Sequence, residues 1–234
     1  MKTKMNVCAW LALGLCAGGL TIAANAKDKE NNTWTETLSY PDEQFNDAGR
    51  NTYFILEPGY QLTLKGKATE LVITVLEDTQ DVNGVKTRVV EERETAGGKL
   101  VEVSRNFFAV GEKTKNLYYF GEEVDVYKKD GMVVHEGAWR EGQGNAKHGI
   151  LVPGTIKVGD RYYQERAPKV AMDRAEIVSI EETVKTPAGE LKHCLKTKET
   201  SLIESGTEYK YYAPGIGLVQ DGNLKLVKCG VVRK

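Results

Sequence analysis

Histidine and cysteine are scarce in this chain, three and four among 234 residues. The histidines, His135, His148 and His193, never fall two or four positions apart, the spacing at which a strand or helix offers a metal pair. No C-x-x-C redox motif occurs, and no serine sits inside a G-x-S-x-G nucleophile elbow. Basic and acidic residues nearly balance, 32 against 33, with no polybasic run. That argues against nucleic acid or anionic lipid as a partner. Long helical periodicity is missing. So is any apolar run after Ala24 long enough to span a bilayer. No cofactor motif and no catalytic constellation emerges; the sequence leaves enzymatic activity open and leans away from it.

What is present begins with a leader. Lys2 and Lys4 precede an uncharged apolar stretch, Val7 to Ala24, interrupted by Gly14, Gly18 and Gly19. Ala24-Asn25-Ala26 has the small-x-small form of a signal-peptidase site. Residues 1–26 are therefore expected to be a signal peptide. The mature protein would begin at Lys27 and lie in the periplasm or outside the cell, without a stable membrane span. Removal of Lys2 and Lys4 leaves a net charge of −3. Two cysteines would remain, Cys194 and Cys229. In an exported chain that pair predicts one disulfide, worth about 3–4 kcal/mol for a loop of this length.

The mature chain says one phrase twice. Ile55-Leu56-Glu57-Pro58-Gly59 returns as Ile150-Leu151-Val152-Pro153-Gly154. Ile73-Thr74-Val75-Leu76-Glu77-Asp78-Thr79 returns as Ile177-Val178-Ser179-Ile180-Glu181-Glu182-Thr183. Glu94-Thr95 returns as Glu199-Thr200, and Phe107-Phe108-Ala109-Val110-Gly111 as Tyr211-Tyr212-Ala213-Pro214-Gly215. The order is kept, so the chain divides into a polar arm (27–54), a first β repeat (55–134), a glycine-rich connector (135–149) and a second β repeat (150–234). From Pro-Gly to the Ile-led strand is 14 positions in the first copy and 23 in the second, so the second copy carries an insertion.

Hairpin punctuation fills both copies. Asn83-Gly84 suits a type I′ turn, and Gly97-Gly98, Asp130-Gly131 and Asp221-Gly222 act alike. Between them run β-branched and aromatic residues. Leu71 to Leu76 reads as a buried strand. Val101, Val103, Phe107 and Ala109 share one face of a later strand, with Glu102, Ser104 and Asn106 on the other. The expected fold class is all-β: two fused antiparallel meander repeats forming a barrel or a strongly curved sheet, within one structural domain.

Tyr211-Tyr212-Ala213-Pro214-Gly215-Ile216-Gly217-Leu218-Val219 resembles the closing motif of a family of uncharacterised secreted bacterial proteins. Tyr53-Phe54-x-Leu56-x-Pro58-Gly59, Leu117 to Glu122 and Lys157-x-Gly159-Asp160 extend the likeness over most of the mature chain. The closing motif is also similar to one in envelope proteins whose sheets curl like periplasmic lipoprotein carriers. The resemblance implies a half-barrel. It brings no catalytic residue with it.

Aromatics in the predicted strands are the one suggestive set. Tyr119, Trp139, Tyr163 and Tyr211 are candidate ligand-binding residues, because aromatic rings on a concave sheet face suit an apolar ligand such as a lipid. The expected function is non-catalytic binding or carriage of such a ligand in the envelope. A structural or protein-docking module is the alternative. A hydrolase acting through the His135–His148 region is a more distant one.

Overall fold

The computed structural model describes Trp34, Thr35 and residues 42–232. The predicted signal peptide, residues 1–26, lies outside the described residues, as does the expected mature terminus. The arm supplies β1 (Phe45–Asn46), β2 (Gly49–Asn51) and β3 (Phe54–Leu56). The first copy supplies β4 (Tyr60–Lys65), β5 (Thr69–Val82), β6 (Val85–Ala96), β7 (Lys99–Gly111) and β8 (Leu117–Tyr127). Two short strands follow: β9 (Val133–Val134), just before the connector, and β10 (Trp139–Arg140), within it. The second copy supplies β11 (Lys147–Val152), β12 (Arg161–Tyr163), β13 (Glu165–Arg166), β14 (Asp173–Thr186), β15 (Gly189–Ser201), β16 (Glu208–Ala213), β17 (Gly217–Asp221) and β18 (Leu224–Val231).

Thirteen strands follow one another round an antiparallel sheet, in the order β12-β14-β15-β16-β17-β18-β4-β5-β6-β7-β8-β11-β13. The sheet is nearly closed into a barrel, with one seam between the β12–β14 and β11–β13 ends. The two copies join through β18 and β4, where Leu226 stands opposite Leu64. Closure of this kind hides strand edges that would otherwise template aggregation.

Backbones come close at the seam. A Cβ on Gly149 of β11 would overlap the Gln164 carbonyl, so only glycine fits there. The Tyr162 hydroxyl reaches the Leu151 carbonyl at 3.5 Å. Outside, Thr35 bridges Tyr162 in parallel and donates its N–H to the Arg161 carbonyl at 3.0 Å. Thr35 thus pairs on the outer edge of β12.

The repeated phrases occupy matching places in part. Asn83-Gly84 forms the expected turn with positive φ at both residues, 53° and 80°. Its flanking pair, Val82 and Val85, is matched in the second copy by Thr186 and Gly189, each 104 positions further on. Ile73–Thr79 and Ile177–Thr183 therefore sit at equivalent places on β5 and β14. The Pro-Gly phrases do not. The Gly59 amide donates to the Val75 carbonyl of β5. Gly154 instead donates to Asn116 Oδ1 at 2.8 Å. The longer stretch between the second Pro-Gly and β14 separates the two phrases' surroundings.

One end of the barrel is closed by the β2–β3 hairpin, which touches β7 and β17, five strand steps apart. Asn51 Nδ2 fastens this plug by donating to the carbonyls of Lys115 and Pro153 at 2.8 and 3.0 Å. Above it lies the apolar core, with Leu56, Leu64, Ile177, Leu195 and Leu226 almost wholly buried. Each such side chain contributes about 1.5–3 kcal/mol. The outer wall near β6–β8 is charged. Glu91 contacts Arg93 and Arg105 at 3.6 and 3.4 Å, and Arg105 reaches Asp125 at 3.1 Å. A membrane barrel turns an apolar band outward, which this wall is not.

The predicted disulfide is not formed. Cys194 on β15 and Cys229 on β18 are both free thiols, the first buried and the second exposed. The sheet path places β16 and β17 between their strands. Three strand spacings of about 4.8 Å far exceed the roughly 7 Å limit for bridged Cα atoms.

Candidate functional site

The register decides what faces inward. Opposite Leu71, Ile73 and Val75 of β5 stand Glu94, Glu92 and Val90 of β6. Opposite these stand Glu102, Ser104 and Asn106 of β7, and Asn106 in turn faces Glu122 of β8. Side chains directly opposite lie on the same face of a sheet. One half of the barrel wall therefore passes from apolar residues to carboxylates and amides within three strands. The second copy does the same, pairing Glu199 with Glu208, Thr197 with Lys210, and Lys210 with Asp221.

Several of these residues line a partly open cavity of about 110 Å³. Eight carboxylates line it: Glu92, Glu102, Glu122, Glu165, Asp173, Glu199, Glu208 and Asp221. Lys210 is the single cationic side chain among its lining residues. Its ammonium lies 3.0 Å from Glu199 Oε2 and 4.0 Å from Asp221 Oδ2. Glu199 is further satisfied by Gln164 Nε2 at 3.2 Å and the Thr197 hydroxyl at 3.0 Å. On the opposite wall the Tyr119 hydroxyl donates to Asn106 Oδ1 at 2.5 Å.

Two acids lack such partners. Glu102 is 8% exposed and Glu165 4%, and the Oε2 atom of each meets no hydrogen-bond donor among the described residues. A buried polar atom left in this state costs about 1–3 kcal/mol. Ionisation is correspondingly resisted. Burial, then the charges of Glu94, Glu122 and Glu92, push the Glu102 carboxyl up to about 8. Burial and then Glu122 raise Glu165 well above the usual carboxylate range. Burial lifts Glu92 to about 7 against the pull of Lys210, and burial together with Asp221 lifts Glu208 to about 8. Burial works against the Lys210 charge, but Glu199 and Asp221 outweigh it and hold its pKa above the ordinary range. Among the described residues no group of three or more His, Cys, Asp or Glu is placed to hold a metal ion.

The four aromatic candidates are dispersed. Tyr119 lines the cavity, and the Trp139 ring packs edge-on against it at 5.4 Å between centroids. Trp139 itself faces a separate hollow of about 400 Å³, shared with Ala146, Pro168 and Val170. Tyr163 is on the outer wall at the seam, its ring 6.1 Å from that of Trp34. Trp34 in turn carries the Arg174 guanidinium at 4.4 Å. Tyr211 is outside the barrel too. It alternates with the inward Lys210 and Tyr212, and the Lys196 ammonium lies 5.3 Å from its ring.

The cavity acids were not singled out from sequence, although a signal was there. The twice-used Glu-Thr phrase, Glu94-Thr95 and Glu199-Thr200, marks inward carboxylates at matching places on β6 and β15. Histidine chemistry finds little support. His148 Nδ1 is 2.9 Å from Glu141 Oε2, but its ring packs among Phe45, Tyr118 and Phe120, away from the cavity lining. His135 pairs with Asp125 at 2.8 Å on the charged outer wall. No family model, curated protein or solved structure matches the chain.

Proposed function

We propose that this chain is a non-catalytic binding module of the cell envelope, exported and released from its leader, which takes a small ligand into the barrel interior. One observation carries the reading: a partly open interior cavity lined by eight carboxylates, two of which, Glu102 and Glu165, keep a buried oxygen without a protein donor. A filler core would have no reason to retain them, since apolar side chains of equal volume are less costly to bury. Lining and size favour a small polar ligand over the lipid expected from the aromatic count. Pockets for drug-sized ligands run to about 300–1,000 Å³ and are mostly apolar. Catalysis has less support, because neither a histidine nor a cysteine is among the cavity's lining residues.

Native mass spectrometry of protein purified without detergent tests this reading. An adduct of small mass, lost on denaturation and absent after exhaustive dialysis at low pH, is the expected result. A clean apo mass, with no thermal stabilisation by any member of a metabolite panel, would refute it in favour of a structural or docking module. Cell fractionation and N-terminal sequencing test the export component, which predicts Lys27 as the first residue.

A further inference from the structure

The two copies meet at two joints, and the joints differ. At one, β18 lies against β4 through six facing pairs, from Lys225 opposite Lys65 to Val231 opposite Tyr60. Within it Leu226 stands opposite Leu64, and both are wholly buried. The other joint is the seam. There β13 faces β11 through two pairs, Lys147 with Arg166 and His148 with Glu165. The chain around β13 is anchored on the other side: β12 runs along β14, and the Gln164 amide donates to the Asp173 carbonyl at 2.8 Å. β13 can therefore part from β11 while Tyr162 and Tyr163 keep their places on β14. So short a ladder opens locally at less cost than the whole barrel.

The apolar pair of the first joint has no counterpart at the seam, where a carboxyl is buried instead. Glu165 lines the interior cavity, is 4% exposed, and its Oε2 meets no donor among the described residues. The charged and titratable groups about it come from five other strands or neighbours in sequence. Arg166 follows it on β13, and His148 and Lys147 belong to the facing β11. Glu122 of β8, Asp173 of β14 and Glu199 of β15 disfavour its charge, and Lys210 of β16 favours it. The Lys210 ammonium is held at 3.0 Å by Glu199. Burial, then Glu122 and Asp173, outweigh Lys210, so the closed seam keeps the proton. In water the carboxyl regains its ordinary affinity, and opening releases that proton.

We propose that the β11–β13 seam is a pH-sensitive latch, closed while Glu165 is protonated and opened, β13 parting from β11, by loss of that proton. The latch goes beyond the binding-module reading and stands whether or not the interior holds a ligand. Its sign is fixed. Below about 4.5, open and closed forms both hold the proton, and pH has no effect. Above it, opening gains up to about tenfold per pH unit until the closed form ionises as well.

The test is amide hydrogen exchange of the full chain at pH 5, 6, 7 and 8, read by mass spectrometry, each rate divided by the chemical exchange rate at that pH. Peptides of β11 and β13 should lose protection by up to about tenfold per pH unit, and at pH 8 should be at least about tenfold less protected than β18 and β4. Glu165→Gln should flatten the seam's slope. Glu102→Gln should keep it, because β7 lies three steps from β13 in the sheet order. Should Glu165→Gln fold poorly, Glu165→Met, of similar length and without charge, is expected to flatten the slope likewise. Seam protection that does not change with pH would overturn the latch, as would a slope that survives in Glu165→Gln or Glu165→Met. Seam exchange that matches β18 and β4 at every pH, read on the wild type alone, would overturn it too, since the barrel would then open only as a whole.

Discussion

Replacing Glu102 with glutamine should make this protein more stable at pH 8 and leave it unchanged near pH 4.5. The perturbation is nearly isosteric. It removes a charge whose Oε2 has no donor and whose neighbours are Glu92, Glu94 and Glu122. The sign follows from the raised pKa. Below about 4.5, folded and unfolded chains both hold the proton, and the group is neutral in the balance. Between 4.5 and about 8 the folded state keeps a proton that the unfolded chain releases. Stability therefore falls as pH rises through this window, at up to about 1.4 kcal/mol per pH unit. Above about 8 the full cost of the buried charge is present. Carried across the whole window this amounts to at most about 5 kcal/mol. Relaxation and water entry into the cavity reduce it, and about 2 kcal/mol is the expected gain for Glu102→Gln at pH 8. For a chain of this size that raises Tm by about 4–8 °C. The assay is urea unfolding of wild type and variant at pH 4.5, 6 and 8, with scanning calorimetry as a check. A loss of stability at pH 8, or a gain independent of pH, would refute the inward, unpartnered placement of Glu102.

Other outcomes follow from the same geometry. Lys210→Met should cost about 3–5 kcal/mol at pH 8, because it strands Glu199 and Asp221, and less at pH 5; urea unfolding at both values checks this. Thiol titration of the native protein should find one fast thiol, Cys229, with Cys194 reacting only on unfolding, and reductant should not move Tm. Gly149→Ala should cost about 1–3 kcal/mol by forcing β11 off the Gln164 carbonyl, with amide exchange accelerated first in β12 and β13.

Much of the fold is legible in the sequence, because hairpin chemistry and repetition act locally. Asn83-Gly84 specifies its turn through the positive φ both residues accept, and the register of β5 and β6 follows from it. The 104-residue offset carries that register to β14 and β15, where Pro187-Ala188 turns the chain without any Asn-Gly signal. What the repeat does not convey is the fate of the second Pro-Gly phrase. Its glycine is shared, but the bond it makes depends on Asn116, a residue of the other copy. The missing disulfide has the same origin, since sequence counts cysteines but not the two strands between them.

The site is harder to read, and the reason is the period of a strand. Alternation divides Val101, Val103, Phe107 and Ala109 from Glu102, Ser104 and Asn106, yet says nothing about which set faces a core. In an open sheet the polar set faces water. A curved sheet has two sides that can each be buried, and here Val103 is wholly buried on the outer side while Glu102 is buried on the inner one. Only cross-strand register resolves this, because it sets Glu102 opposite Glu94 and Glu94 opposite Leu71, whose side of the sheet the core fixes. A carboxylate repeated at one register position in both copies is then no solvent-face accident. Glu94 and Glu199 lie on inward faces at matching places, and their shared orientation puts carboxyl groups in the middle of the barrel, of which Lys210 pairs with Glu199 and Asp221.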